Sequence, residues 1–559
     1  MRRTIRATLL LLTLLLLLAP SHVFAHAKLV QSEPASNSRL AESPETIRLV
    51  FNEELEIVGK NALQMTDSRG TDVTLNDIQL GDDGVSLIAE LDTLMPDTYT
   101  VAYTVLSKDG HTVAGRYSFT LLGTSTTIEQ PAQMADERTA ATPPSDKTLP
   151  PIVIEGEPFA GANKAELLSV YTGNDGLKTV FYIVFLPLLG LVLWSIVLRG
   201  RTEEQIKRLR LWTLQFQRLF FLVLLGIIVH FISQSTGFDD VSALQRALLD
   251  TTIGQSWLML LGLSVIGMFA LQRVKLFDVI WLLAAVAAKA RIGHAVATEE
   301  PLVAAVMAGL HLLAAAVWIG GLLLVLLMWG RYRYEAERFL PMYSGASLTA
   351  VSVLAITGVA GSTLYLPDLT YLLETRWGLF LIGKLVGLVI TMILATWIRG
   401  RMKRSGSHRV GALLRTDFLM MLIVAAMAAL MTQSEPIPSN KPVHWHVMGE
   451  DVHMTATISP LDVGLNNYGV TVWLPEGSNP PRSVELRLLP GKSGDDMQVI
   501  PLQRLAGGED GELVFVGFED FYYQATGEEL NRPGWWRYII AITDDRGQTW
   551  EYHRTTKIY

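Results

Sequence analysis

Three side chains that could hold a metal ion together are His26, Asp109 and His111. Asp109 and His111 stand two residues apart beside an Asp-Gly turn, and His26 follows a segment typical of a cleavable signal. If cleavage exposes His26, its α-amine and its ring Nδ1 can chelate one ion. Three nitrogens and one carboxylate oxygen favour Cu(II), which prefers tetragonal N,O sites. The α-amine must lose its proton first, so we expect affinity to fall in acid. The alternative is that Asp109 only shapes the turn and His111 is solvated.

The pattern of residues 1–25 predicts a secretory signal peptide. Three arginines precede a leucine-rich stretch over 9–18, and Val23–Phe24–Ala25 places small residues before the cleavage point. Ten apolar residues are too few to cross a bilayer, which needs about 20. The alternative is an uncleaved anchor extended by neighbouring apolar residues.

Composition excludes several classes of protein. The chain of 559 residues has no cysteine, which excludes disulfide scaffolds, thiolate zinc sites and cysteine nucleophiles. Half of the residues are hydrophobic and only 18% are charged, against about 25% in soluble domains, so part of the chain is expected in lipid. A net charge of −8 gives no support for nucleic-acid binding.

Two segments have the alternating pattern of half-buried strands. Residues 26–122 alternate apolar and polar side chains through Tyr99–Val105, with Asp-Gly turns between strands, which predicts an all-β sandwich. Residues 432–559 repeat this pattern and predict a second β-sandwich-like domain. Between 123 and 178 the proline-rich composition predicts a linker and a pre-membrane segment.

Residues 179–431 predict an α-helical membrane domain with eight spans. Lysine and arginine concentrate in the loops after odd-numbered spans, which places these loops in the cytoplasm and both β domains outside the cell. The fourth span is the weakest, because Lys289 and Arg291 lie at its outer end. The expected spans are 179–198, 212–235, 256–274, 276–294, 302–329, 344–364, 378–398 and 411–431.

Ionisable or metal-ligating side chains inside spans are functional candidates by default. His230, His294 and His311 are all expected in the outer half of the bundle, and Met307 lies one helical turn before His311. We predict a copper path through these four residues, with Lys384 as a further buried charge. The alternative is that each histidine only bonds a neighbouring helix or water.

The C-terminal domain contains a third group of candidate ligands. His444, His446 and Met448 alternate, so on a strand they share one face, and His453 follows closely. Two imidazoles and a thioether suit copper. A solvated strand edge is the alternative.

The chain resembles known copper proteins in three places. His26–Leu29 and Ser107-x-Asp109–Gly110–His111 resemble the CopC family, which implies a β-sandwich that binds Cu(II) through the terminal amine, His26, Asp109 and His111. That domain has only Met65 and Met95, so no methionine-rich Cu(I) site is expected in it. His311–Gly321 resembles the CopD family. The C-terminal domain more weakly resembles the YtkA-like family.

A CopC–CopD fusion is similar to the YcnJ-type copper uptake and resistance proteins of Gram-positive bacteria. The resemblance implies a multi-pass protein of the cytoplasmic membrane that captures Cu(II) outside the cell and imports copper. Such a protein is expected not to be an enzyme. Cu(I) is expected in the membrane domain, and partners would be copper ions, membrane lipid and a copper reductase or chaperone. The alternatives are extracytoplasmic buffering or delivery with the bundle as an anchor, and a histidine-brace copper monooxygenase.

Overall fold

The structure is a computed structural model of the chain. It describes residues 29–36, 38–40, 42–56, 62–107, 112–122, 151–155, 173–198, 203–235, 241–293, 301–330, 332–366, 369–405, 410–434, 436–438, 440–449, 451–491, 497–505, 515 and 517–559. The predicted signal peptide, His26, Asp109, His111 and His294 lie outside these residues.

The N-terminal domain consists of two packed sheets. One has the strand order β1-β3-β8-β7, and the other has the order β2-β10-β9-β5-β6, with β4 also paired to β9. Alternate side chains of β3 and β9 fill the space between the sheets, which confirms the predicted sandwich. The strands are β1 Leu29–Glu33, β2 Arg39–Leu40, β3 Thr46–Phe51, β4 Leu55–Glu56, β5 Leu63–Thr66, β6 Asp72–Val73, β7 Leu75–Leu80, β8 Ser86–Leu91, β9 Asp97–Ser107 and β10 Thr112–Leu121.

The middle of the chain is helical. Its described helices are α1 Gly173–Val197, α2 Glu203–Ser235, α3 Val241–Leu249, α4 Thr252–Ala270, α5 Lys275–Ala290, α6 Pro301–Trp329, α7 Arg333–Tyr365, α8 Tyr371–Glu374, α9 Arg376–Ser405 and α10 Gly411–Met431. Among the described residues, seven of these helices are long and apolar enough to cross a membrane, one fewer than predicted. The predicted fourth span corresponds to α5, which has 16 residues and is too short to be counted among the seven.

Helix α5 nevertheless returns the chain between two helices, α4 and α6, that start at the same end of the bundle. The start of α4 contacts the N-terminal domain through Thr252. The end of α6 packs at Trp329 against Gly411, which begins α10, and α10 leads into the C-terminal domain. Both α4 and α6 therefore begin near the β domains, and α5 returns the chain between them. Its 16 residues cover about 24 Å at 1.5 Å per residue.

The C-terminal domain is a second two-sheet sandwich, as predicted, with five strands in each sheet. The orders are β11-β20-β19-β15-β16 and β12-β13-β14-β18-β17. Strand β11 lies in the segment predicted as a linker and pairs in parallel with β20. The strands are β11 Ile152–Glu155, β12 Val443–Val447, β13 His453–Ser459, β14 Gly464–Pro475, β15 Ser483–Pro490, β16 Gln498–Ile500, β17 Gln503–Leu505, β18 Phe518–Leu530, β19 Gly534–Thr543 and β20 Thr549–Ile558.

The two β domains contact each other. The amide of Asn467 donates to the carbonyl of Ser36 over 2.9 Å. The guanidinium of Arg39 lies 4.3 Å from the centre of the Tyr522 ring, and the Arg39 backbone amide donates to Gln524 over 3.4 Å. The C-terminal domain thus uses the outward face of the sheet that contains β14 and β18.

Both β domains also contact the same end of the bundle. The backbone amide of Thr252 donates to Glu56 over 3.1 Å. Lys557 of β20 forms an ion pair with Glu374 of α8, at 2.7 Å. These contacts place the sandwiches side by side at the end of the bundle where α4 and α9 begin.

Candidate metal sites

The strands that flank the predicted N-terminal site end close to one another. Leu29, at the start of β1, pairs with Phe51 at the end of β3. The Phe51 ring contacts the ring of Tyr103, four residues before the end of β9, with 5.6 Å between ring centres. The start of β1 and the end of β9 therefore lie at one end of the sandwich. His26, Asp109 and His111 themselves lie outside the described residues.

This end of the sandwich faces the helical bundle. Leu106, the next-to-last residue of β9, belongs to an apolar cluster formed mainly by side chains of α1, α2, α4 and α5. Strand β9 contacts α2, and Glu56, which pairs with Leu106, accepts the hydrogen bond from Thr252. The fold therefore brings the end of β9 to the end of the bundle.

His311 is held by two polar side chains from other helices. Its Nδ1 lies 2.8 Å from Thr357 Oγ1 of α7, and its Nε2 lies 3.5 Å from Lys384 Nζ of α9. The Thr357 hydroxyl donates its one hydrogen to the carbonyl of Val353 at 2.7 Å, so the hydroxyl oxygen accepts from His311 Nδ1–H. This tautomer leaves a lone pair on Nε2, the nitrogen that faces Lys384. The histidine is thus prepared to accept a cation at Nε2.

The depth of this cluster follows from its position along the helices. His311 lies ten residues after Pro301, and Lys384 lies eight after Arg376, which corresponds to about 15 and 12 Å from the end nearest the β domains. Met307 is buried one turn before His311, on the same side of α6. His230 is half-buried near the end of α2 and is not among the contacts of His311, and His294 lies outside the described residues.

Asp417 was missed in the sequence because it lies in the last predicted span without a ligand-like neighbour. It is 4% exposed on α10, and its Oδ1 has no hydrogen-bond partner among the described residues. Asp417 lies six residues after Gly411, about 9 Å from the end of the bundle remote from the β domains. A carboxylate buried in a span is costly and marks a candidate for cation or proton passage. The available signal was a lone acidic residue in an apolar helix.

The C-terminal candidates lie on the outward face of the second sheet. His444 and His446 of β12 point away from the core, whereas Val443 and Trp445 between them are buried in it. His446 Nδ1 lies 2.7 Å from Thr455 Oγ1 on β13. Partial burial, together with the nearby His453 and His444, lowers the pKa of His446 and favours its neutral form.

His453 is close to His446 but is more deeply buried. It is 7% exposed, and its Nδ1 has no hydrogen-bond partner among the described residues. The ring of Phe515 stacks on His446 at 5.5 Å and meets His453 edge-on at 4.8 Å. Met448 is 66% exposed just beyond β12. Within the described part of the chain, no three histidine or carboxylate side chains group as metal ligands.

Comparison with known proteins identifies the N-terminal domain. The CopC domain family matches residues 29–122. Protein YobA of Escherichia coli is 37% identical over 121 residues, which cover 95% of YobA and 21% of this chain. The chain belongs to the CopC family. A solved structure of CopC from Methylosinus trichosporium is 30% identical to the CopC domain, covering 95% of that structure and 18% of this chain, with a TM-score of 0.16.

A second relative extends far beyond the CopC domain. The copper transport protein CutJ of Bacillus subtilis is 26% identical over 496 residues, which cover 83% of this chain and 84% of CutJ. An alignment of this length takes in the helical bundle as well as the CopC domain. The predicted CopC–CopD fusion is therefore confirmed.

Proposed function

We propose that this chain is a copper-transport protein that captures Cu(II) outside the cell and moves copper inward through the helical bundle. The similarity to a copper transport protein over most of the chain supports this proposal. The observation that carries it is the docking of the CopC domain, whose β9–β10 end faces the bundle. A binding domain that only buffered copper would not need this end of its sandwich against the bundle.

Copper bound by His26, Asp109 and His111 would enter the bundle at the end nearest His311. Met307 and His311 offer a thioether and an imidazole on one side of α6, and these donors suit Cu(I). The captured Cu(II) must therefore accept one electron from a separate copper reductase before these two residues bind it. The His311 tautomer set by Thr357 presents its Nε2 lone pair to the ion. Asp417, in the remote half of the bundle, supplies the next anionic group along the way.

Lys384 controls access to this ligand atom. Its ammonium lies 3.5 Å from His311 Nε2, so an arriving copper ion must displace it. Two cations cannot share one lone pair, and their repulsion is weakly screened inside the bundle. We therefore assign Lys384 as a competing cation that prevents copper from resting permanently at His311.

The membrane potential supplies a driving force for import. A divalent ion entering down 100 mV gains about 4.6 kcal/mol, and a monovalent ion gains about 2.3 kcal/mol. The sequence contains no phosphate-binding loop of the GxxxxGK[ST] type. With α5 counted as a span, the number of crossings is even and both β domains lie on the same side of the membrane. The concentration of lysine and arginine in the opposite loops supports the outside as that side.

Uptake of radioactive copper into vesicles that contain the purified protein tests the proposal. Cu(II) and ascorbate-reduced Cu(I) are supplied separately, because the bundle and the CopC domain are expected to favour different oxidation states. We expect His311→Ala to abolish uptake and His111→Ala to reduce uptake of Cu(II). His553→Ala, a histidine of β20 that contacts Glu551, is the matched control and should leave uptake unchanged. Equal copper uptake by empty vesicles would refute transport.

A further inference from the structure

The outward face of β12 and β13 brings two histidines together beneath aromatic rings. Phe515 contacts both His446 and His453, at 5.5 and 4.8 Å between ring centres. Phe518 covers His453 at 4.2 Å, and Trp473 contacts His446 at 5.9 Å. Aromatic cover on this side shields the buried His453 and part of the His446 ring from water.

Each histidine retains a nitrogen able to bind a metal ion. When His446 Nδ1–H donates to Thr455, the Nε2 lone pair stays available. His453 Nδ1 is buried and without a partner among the described residues. A buried polar nitrogen that makes no hydrogen bond costs stability, and a bound ion would remove this cost.

Met448 completes the set with a soft donor. In the register of β12 and β13, Val447 pairs with Met454, so continuation of the ladder by one residue places Met448 opposite His453. Alternation along the strand puts Met448 on the same face as His446. Its side chain is 66% exposed, which leaves it free to turn toward the two histidines.

We propose that His446, His453 and Met448 form a Cu(I) site on the outward face of the C-terminal sheet. Two neutral imidazoles and a thioether carry no charge, and the aromatic surroundings disfavour a divalent ion more than a monovalent one. The choice of copper rests on the proposed function, whereas the ligand set rests on the geometry. The site shares no residue with the predicted CopC site or with the bundle path through His311.

The CopC domain docks next to this site on the same sheet face. His453 pairs with Trp473, and Trp473 pairs with Asp520 on β18. Tyr522, two residues along β18, is the residue over which Arg39 of the CopC domain stacks. Two residues correspond to about 7 Å along a strand, so the site lies beside the domain interface.

Cu(I) binding by the full-length protein in detergent tests this site. The protein is titrated without oxygen against a coloured Cu(I) chelator, and bound copper is examined by X-ray absorption. Met448→Leu keeps the volume of an exposed side chain, so the fold is preserved. We expect this change to weaken the binding of one Cu(I) ion by about 100-fold or more, because loss of a ligand should cost at least as much as loss of a group that supports one. It should also remove one sulfur scatterer from the copper X-ray absorption spectrum. Met497→Leu, at a 51% exposed methionine of the same domain, is the matched control.

Replacement of the histidines gives a second measurement. His446→Asn should remove the same Cu(I) equivalent, because asparagine keeps polarity but offers no imidazole. Unchanged Cu(I) binding and sulfur scattering in both Met448→Leu and His446→Asn would overturn the site. If copper uptake still depends on His311 in that case, the proposed transport function stands while this inference fails.

Discussion

Removal of the Thr357 hydroxyl tests the preparation of His311 as a ligand. Thr357→Val keeps the β-branched shape of a buried side chain that is 6% exposed. It removes the oxygen that accepts from His311 Nδ1 at 2.8 Å. The imidazole then loses the contact that fixes both its orientation and its tautomer.

The magnitude follows from the two bonds that the hydroxyl makes. Loss of the bond to the Val353 carbonyl should cost about 1 kcal/mol of stability, as for an ordinary hydrogen bond. Loss of the bond to His311 should weaken copper binding by about 10- to 100-fold, the usual effect of removing a group that supports a metal ligand. This range corresponds to about 1.4 to 2.7 kcal/mol.

Thr396→Val separates these two effects. Thr396 is an exposed threonine of α9 whose hydroxyl donates to the carbonyl four residues earlier, at 2.9 Å, as Thr357 does at 2.7 Å. Both variants therefore lose a helix-backbone bond, but only Thr357→Val loses a bond to histidine. Copper uptake into vesicles is measured over a range of copper concentrations for both.

We expect Thr357→Val to raise the copper concentration needed for half-maximal uptake and Thr396→Val to leave it unchanged. If His311→Ala abolishes uptake while Thr357→Val behaves like Thr396→Val, the tautomer set by Thr357 has no role in binding. If His311→Ala leaves uptake intact, the bundle path itself is refuted.

Three further predictions follow from the described contacts. Lys384→Met should increase the amount of copper that the purified protein retains after desalting, because the Lys384 ammonium no longer competes for His311 Nε2. Unchanged copper retention would contradict that competition. Gly320→Ala should destabilise the bundle by about 1–3 kcal/mol, because the added carbon overlaps the backbone of α1. The control Gly262→Ala places its added carbon in open space and should be neutral or stabilising. Thermal unfolding of both variants in detergent measures the difference. Hydrogen bonds from the Ser86 hydroxyl and backbone amides lower the pKa of Asp83, so this carboxylate stabilises the CopC domain above its ordinary pKa of 3.8 and loses that effect as pH falls through the lowered value. The free energy of unfolding of the isolated CopC domain between pH 5 and 2 should therefore depend less on pH in Asp83→Asn than in the unaltered domain. The same pH dependence in both would argue against stabilisation by the Asp83 carboxylate.

Local patterns predicted most of the architecture. Alternation in β9 and β14 identified strands, because one face of each is buried in a sandwich core. Long apolar runs identified the spans, because a helix in lipid must satisfy its own backbone. The pattern was least decisive for α5, whose charged end at Lys289 shortened the apolar run.

Sequence patterns could not predict which side chains contact His311. Thr357 and Lys384 are 46 and 73 residues away in the chain, and no periodicity relates them to His311. Asp417 gave only a weak signal, since a single acid in a span does not reveal whether it is buried or exposed. Strand β11, within a proline-rich segment, also depends on a distant partner, β20.

The two sandwiches, the apolar bundle and the types of donor atom can be predicted from the amino-acid sequence, because they depend on local periodicity and on side-chain chemistry. The three-dimensional structure was needed to show that the β9–β10 end of the CopC domain rests on the bundle, that Thr357 sets the His311 tautomer, and that Phe515 covers two histidines. Such contacts depend on how distant segments pack in three dimensions, and packing joins residues that have no fixed spacing in the chain.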